Sequence, residues 1–250
     1  MTRRLVCCIL PLASFWLAGL AALSPARAES PDAVLQKMDD AINRYKTLHV
    51  QYDIVNQEPG RPQSTFKVES WLEGDKQVTE LQAPADVRGT KVLQLSETQM
   101  YIYLPAFRKI RRIASHFSEQ GFLGTAFSQV DIAHRRYANF YTAKLVSDDG
   151  AAVTLELAPK SAEAPYPKMQ IAIEKQRSVP TVLRYYGGSG AHIKTEERAG
   201  YFCEQGFCTA KSMKMTDHSK GGHWSELRLT KHEINVAIPE GTFSKRSLQH

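Results

Sequence analysis

Ala151-Ala-Val-Thr-Leu-Glu-Leu-Ala-Pro159 and Lys168-Met-Gln-Ile-Ala-Ile-Glu-Lys175 decide the fold class. Val153, Leu155 and Leu157 alternate with Thr154 and Glu156, and Met169, Ile171 and Ile173 alternate with Gln170 and Glu174. A period of two places the apolar side chains on one face of an extended chain and the polar ones on the other. Each segment is therefore a strand with one buried and one wet face, as antiparallel sheets carry.

Working outward, the same character recurs at 48 to 56, 64 to 73, 76 to 82, 89 to 96, 99 to 104, 137 to 147, 180 to 187, 192 to 202, 207 to 217 and 223 to 234. Turn chemistry separates them: Pro59-Gly60, Glu73-Gly74-Asp75, Asp148-Asp149-Gly150, Gly187-Gly188-Ser189-Gly190 and Lys220-Gly221-Gly222. Such a meander closes into a barrel, stacks into a sandwich, or curves as one open sheet. One segment departs from it. Ser30-Pro31-Asp32 supplies a cap hydroxyl, a proline at helical φ and an acid at the positive end of the helix dipole. Val34, Leu35, Met38, Ala41, Ile42, Tyr45 and Leu48 then follow a helical period, predicting an amphipathic helix over 31 to 47.

The first 28 residues read as an address. Arg3-Arg4 forms a basic start, Leu5 to Leu23 holds no charge, and Ala26-Arg27-Ala28 offers small residues where a signal peptidase cuts. The expected organisation is a cleaved signal peptide, 1 to 28, and a single domain, 29 to 250. The whole chain of 250 residues carries 32 Lys+Arg and 26 Asp+Glu, but cleavage takes away three arginines and no acid, leaving a net charge of +3. A small excess in an exported protein argues against nucleic acid as partner. Export also favours disulfides, and Cys203 and Cys208 flank Glu-Gln-Gly-Phe at a hairpin tip, where they are expected to bond.

The central block is the most informative for function. In Met100-Tyr-Ile-Tyr-Leu104 both faces are apolar or aromatic, so the strand is either buried on both sides or lines a ligand. Arg108, Lys109, Arg111 and Arg112 follow without an acid until Glu119, interleaved with Phe107, Ile110 and Ile113. A run of this kind is either a solvated hairpin strand or a basic collar for an anionic head group or membrane surface. Phe117, Phe122, Leu123 and Phe127 around Gly121 and Gly124 then make a loop more apolar than a surface loop needs, in the manner of a lid.

These segments resemble the periplasmic outer-membrane lipoprotein-sorting proteins, LolA-like in the broad sense. The resemblance rests on Pro84 with Arg88-Gly89-Thr90, Tyr101-Ile-Tyr-Leu-Pro105, Lys109-Ile-Arg-Arg-Ile113, Phe122-Leu-Gly-Thr-Ala-Phe-Ser128 leading to Asp131, and Ile238-Pro-Glu-Gly-Thr-Phe243. It implies a mainly β fold: a single curved antiparallel sheet, an open half-barrel, with an N-terminal amphipathic helix and a short helical lid. It further implies a carrier that holds the acyl chains of lipoproteins or other lipids, taken from an inner-membrane exporter and passed to an outer-membrane acceptor through transient membrane contact. Arg88 and Arg108 are both candidates for the arginine that holds the lid in that family.

Trp71, Tyr101, Tyr103, Phe107, Phe122, Leu123 and Phe127 are the expected apolar lining or lid, and Arg108, Arg111 and Arg112 the expected head-group or membrane contacts. No catalytic motif, cofactor motif or metal-ligand spacing is present, so neither an enzyme nor a metalloprotein is expected. Two other readings compete: a lipid sensor of the same fold that acts through a protein partner, and an exported hydrolase whose nucleophile and base meet only on folding.

Overall fold

A computed structural model describes residues 29 to 96, 99 to 113, 121 to 133 and 136 to 249. The segment 1 to 28, expected as a signal peptide, and Phe117 lie outside these residues.

Helix α1 spans Pro31–Ile42, with the Ser30 hydroxyl accepting from Ala33 N–H. It ends before residue 47 because the Asn43 side chain turns back to donate to Asp39 O at 2.7 Å. Tyr45 then packs edge-on against Phe207, with ring centroids 5.0 Å apart.

Fifteen strands follow among the described residues. β1 (Thr47–Gln57), β2 (Ser64–Glu73), β3 (Lys76–Ala83), β4 (Lys91–Ser96), β5 (Gln99–Leu104) and β6 (Lys109–Ile113) form a meander. Two short helices come next, α2 (Gln129–Ala133) and α3 (Tyr137–Phe140). A second meander comprises β7 (Tyr141–Asp148), β8 (Ala152–Pro159), β9 (Lys168–Glu174), β10 (Val179–Tyr186) and β11 (His192–Ala199). β12 (Phe202–Glu204) and β13 (Phe207–Thr209) make a small hairpin, and β14 (Ser212–Asp217) and β15 (His223–Ile234) follow it.

Thirteen of the strands form one antiparallel sheet in the order β6-β5-β4-β3-β2-β1-β15-β14-β11-β10-β9-β8-β7. The two meanders meet where β1 pairs with β15. The sheet is open, with β6 and β7 as its edges.

Three expected strands are divided. Residues 137 to 140 form α3 because Asp39 of α1 accepts from Ala138 N–H at 2.7 Å, while Asp32 accepts from Ala143 N–H at 2.7 Å and sets the start of β7. The segments 192 to 202 and 207 to 217 break near Gly200 and Ala210, so that β12 and β13 leave the main sheet. Gln205 and Gly206 both have positive φ, the geometry of a tight two-residue hairpin turn. Cys203 and Cys208 stand opposite each other in this hairpin and are joined by a disulfide.

One face of the sheet is the inner one. Val153, Leu155, Leu157, Met169, Ile171 and Ile173 are all buried on it, in the alternation of β8 and β9. Leu35 and Met38 of α1, with Tyr137, Tyr141 and Tyr166, belong to the same buried cluster. Across β1 to β3 and β15 the inner face is not filled, and a cavity remains.

Candidate functional site: a lidded apolar cavity

The cavity has a volume of about 170 Å³. Its floor is the inward register of three neighbouring strands: Leu48, Val50, Tyr52 and Ile54 of β1, Val68 and Leu72 of β2, and Leu227 of β15. Ile42 at the end of α1 and Tyr45 just beyond it also line the cavity, and Phe207, Cys208 and Thr209 bring the disulfide hairpin to its wall. Phe122, Phe127, Asp131 and Ile132 of the segment 121 to 133 cover it.

That covering segment is a closed loop with its own attachments. Phe122 N–H donates to Phe127 O at 2.7 Å, and Gly121 pairs with Ser128. At Gly121 a Cβ would sit 2.4 Å from Thr125 O, so this position admits only glycine without a backbone shift. Ser128 and Asp131 bond reciprocally at the start of α2, Ser128 N–H to Asp131 Oδ2 at 2.7 Å and Asp131 N–H to Ser128 Oγ at 3.2 Å.

Two latches tie the loop to the sheet. In the first, Ala126 N–H donates to Ser225 Oγ at 2.8 Å, Ser225 donates to Asn56 Oδ1 at 2.6 Å, and Asn56 Nδ2 donates to Gly124 O at 3.3 Å. His223 Nε2 also reaches Asn56 Oδ1, at 2.8 Å. In the second, Lys194 Nζ lies 2.8 Å from Asp131 Oδ2, with the Asp131 side chain fully buried and the Lys194 side chain 9% exposed. Tyr166 donates to Asp131 Oδ1 at 2.6 Å. Arg88 and Arg108 take no part: Arg88 Nε donates to Gln82 O, and Arg108 is exposed in a left-handed turn after Phe107. The cation at the lid is a lysine, and no motif near Asp131 marks it, because β11 lies 63 residues further along.

A further ion pair stands in the wall. Arg198 Nε lies 2.7 Å from Glu196 Oε1, Tyr185 donates to Glu196 Oε2 at 2.6 Å, and Arg198 Nη2 donates to Tyr137 OH at 3.3 Å. Burial raises the acidities' midpoints of the surrounding phenols: Tyr52 and Tyr201 are each pushed up to about 12, and Tyr137, Tyr166 and Tyr185 are also raised. These five phenols are thus neutral hydroxyls at physiological pH. Burial also lifts Asp39 to about 7, against the opposing hydrogen bond from Ala138. Among the described residues no three His, Cys, Asp or Glu side chains converge to hold a metal ion.

Phe122 and Phe127 line the cavity, while Leu123 packs half-buried beside the main core and is not part of the lining. Trp71, Tyr101 and Tyr103 do not line it: they lie on the opposite face of the sheet. Trp71 falls between the inward Ser70 and Leu72 and stacks on His49, with centroids 3.7 Å apart. Tyr101 stands opposite Leu93, and with Leu248 they form a separate buried cluster against which Tyr103 and Phe243 pack. The strand Gln99–Leu104 is thus covered on both faces, on the outer one by the C-terminal segment. Phe107 lies in the turn between β5 and β6 and is 65% exposed. Arg111 stands opposite Ile102 and Arg112 opposite Tyr101, so on the edge strand β6 they face opposite sides of the sheet. Both are exposed, as is Arg108, and none of the three forms an ion pair with a described acid.

A family model described as "Uncharacterized protein" matches residues 73–250. No curated protein matches the chain. Among solved structures, a candidate outer membrane lipoprotein-sorting protein domain from Vibrio parahaemolyticus superposes with a TM-score of 0.79 at 22% identity, covering 88% of this chain and 98% of that one. A LolA superfamily protein from Nitrosomonas europaea superposes at 0.74 with 19% identity, covering 87% and 99%. A DUF1329 family protein from Desulfovibrio piger gives 0.76 with 20% identity, covering 88% and 100%. At these identities the likeness is one of fold: the chain is folded like these three proteins.

Proposed function

We propose that this chain, which belongs to the family whose model spans residues 73–250, is a non-catalytic periplasmic carrier. It binds acyl chains of lipoproteins or other lipids on its apolar inner face and delivers them towards the outer membrane. Its working form is the single domain 29 to 250, released from the leader 1 to 28; the disulfide between Cys203 and Cys208 supports export to an oxidising compartment. An inner-membrane exporter would be the donor, an outer-membrane protein the acceptor, and the cationic edge at Arg108, Arg111 and Arg112 the transient membrane contact.

The observation that carries this reading is the cavity itself, held between an apolar floor and a separately latched loop. Its volume is close to the roughly 150 Å³ of a dry cavity that takes one benzene, so the closed form holds about six carbons. At about 0.8 kcal/mol per methylene that segment contributes about 5 kcal/mol, too little for firm retention of a lipid. A whole acyl chain requires Phe122 and Phe127 to leave the floor, and the chain then replaces the apolar contacts they give up. Opening is opposed mainly by the two polar latches, which suits a loop that must yield to cargo.

The test is solvent extraction of protein purified from the native periplasm, with mass spectrometry of the extract, alongside transfer of labelled lipid between vesicles. An acyl-bearing lipid should co-purify and transfer should accelerate with protein concentration. A protein that yields no lipid and leaves the transfer rate unchanged is not a carrier.

A further inference from the structure

Two polar clusters interrupt the apolar lining of the cavity. The pair Arg198–Glu196 is internally matched and hydrogen-bonded by tyrosines. The other cluster is not. Ser70 and Thr79 face each other across β2 and β3 with their hydroxyl oxygens 2.8 Å apart, and the Gln77 amide donates to Thr79 Oγ1 at 3.0 Å. All three residues are more than nine-tenths buried, at 5%, 7% and 8% exposure for Ser70, Thr79 and Gln77. The Gln77 carbonyl oxygen, Oε1, has no hydrogen-bond partner.

A buried carbonyl left without a donor is a cost that native interiors rarely leave standing. Gln77 lines the main cavity and also a second void of about 20 Å³ behind the lid. Thr79 and Gln94 border that void with it, and Val92, Met100, Phe122 and Ile132 supply the apolar side. Its volume fits one water-sized group. The Gln94 side-chain amide is already committed, donating to Asp75 O at 3.3 Å. Gln77, whose carbonyl is unpaired, thus borders a space for a single polar group, and the lid residue Phe122 bounds both that space and the room for hydrocarbon.

We propose that this niche selects cargo carrying a hydrogen-bond donor: the cavity takes amphiphiles whose hydrocarbon bears a hydroxyl or a secondary amide N–H, which donates to Gln77 Oε1. Chains that carry only acceptors leave the carbonyl unpaired and bind less tightly. The inference rests on the carrier reading and adds the class of cargo. Apolar area holds the chain, whereas the buried acceptor distinguishes one chain from another, because an unmade hydrogen bond in a dry site is penalised far more than a missing methylene.

The experiment measures displacement of N-phenyl-1-naphthylamine from the purified protein by octan-1-ol and by octyl methyl ether, which keeps the oxygen but cannot donate. The same pair is measured on Gln77→Leu or, where that variant does not fold, Gln77→Met. The preference for alcohol over ether should be about tenfold greater in the unaltered protein than in the variant, the scale of one lost buried hydrogen bond. Partitioning of each compound into hydrocarbon is common to both proteins and cancels in that ratio. An equal preference in the two proteins, with both compounds still displacing the dye, overturns the assignment to Gln77 and leaves the carrier reading standing. If neither compound nor dye binds, both readings fall.

Discussion

Replacing Lys194 by methionine keeps a long unbranched side chain and removes the cation that pairs with Asp131 at 2.8 Å. Asp131 is fully buried at the side chain, and breaking such a pair leaves an uncompensated carboxylate that costs about 3–5 kcal/mol. The sheet does not have to bear that cost. Asp131 sits on the lid, so lifting the lid returns the carboxylate to water, and the penalty cannot exceed the free energy of that local opening. Lys194→Met should therefore weaken lid closure selectively. A loss of about 3 kcal/mol lowers protection by about a hundredfold. The assay is amide hydrogen exchange at Phe122, Ala126 and Ser128, whose N–H groups bond to Phe127 O, Ser225 Oγ and Asp131 Oδ2. These should exchange much faster while the β8 to β10 ladder keeps its protection. Dye affinity should rise, because a larger share of molecules is open. Adding Asp131→Leu, which removes the stranded charge, should restore much of the protection at Phe122 and Ala126, but not at Ser128, whose acceptor it deletes. Unchanged exchange at the lid, or equal loss of protection in the sheet, would refute this account of the latch.

Asp39 gives a pH dependence. Its ordinary value of 3.8 rises to about 7 in the fold, so between these values the folded chain holds a proton the unfolded chain has lost. Stability from this group then falls as pH rises from about 4 to 7, by ~4 kcal/mol at most. Asp39→Asn should raise the melting temperature more at pH 8 than at pH 4, and equal shifts at the two pH values would count against buried desolvation as the cause. Serine in place of Arg108, Arg111 and Arg112 should cost about 1 kcal/mol of affinity each for anionic vesicles at low salt. Since Arg111 and Arg112 face opposite sides of β6, the bilayer must meet the sheet edge-on, and sedimentation with vesicles that is unaltered in the triple variant would remove the edge as a contact. Reducing the Cys203–Cys208 bond should cost about 2 kcal/mol in urea unfolding, the entropy of so short a loop. Because Phe207, Cys208 and Thr209 belong to the cavity wall, dye affinity should fall as well; a reduced protein that binds dye as before would show that the hairpin does not shape the wall.

What could be read in the chain itself was whatever neighbours in sequence decide. The alternation of Val153 to Leu157 and Met169 to Ile173 names strand and buried face because side-chain direction in a strand repeats every two residues. Ser30-Pro31 starts a helix through contacts within three residues, and Cys203 and Cys208 stand opposite each other because a two-residue turn lies midway between them. The apolar excess of the segment from Phe122 to Phe127 is legible by composition alone, but not that Phe122 and Phe127 border the cavity while Leu123 does not.

Only tertiary structure decided which side of the sheet is the inside. In Met100-Tyr-Ile-Tyr-Leu104 the faces are equally apolar, so alternation carries no sign, and the outward turn of Tyr101 follows from Leu248 arriving at the far end of the chain to cover it. The formation of α3 and the start of β7 depend on Asp39 and Asp32 meeting backbone amides about a hundred residues away, at separations of 99 and 111. The latches Asn56–Ser225 and Asp131–Lys194, and the free carbonyl of Gln77, carry no local signature for the same reason. Hydrogen-bond satisfaction and buried charge pairing are properties of what the folded chain brings together, and a sequence records only which groups are available to be brought.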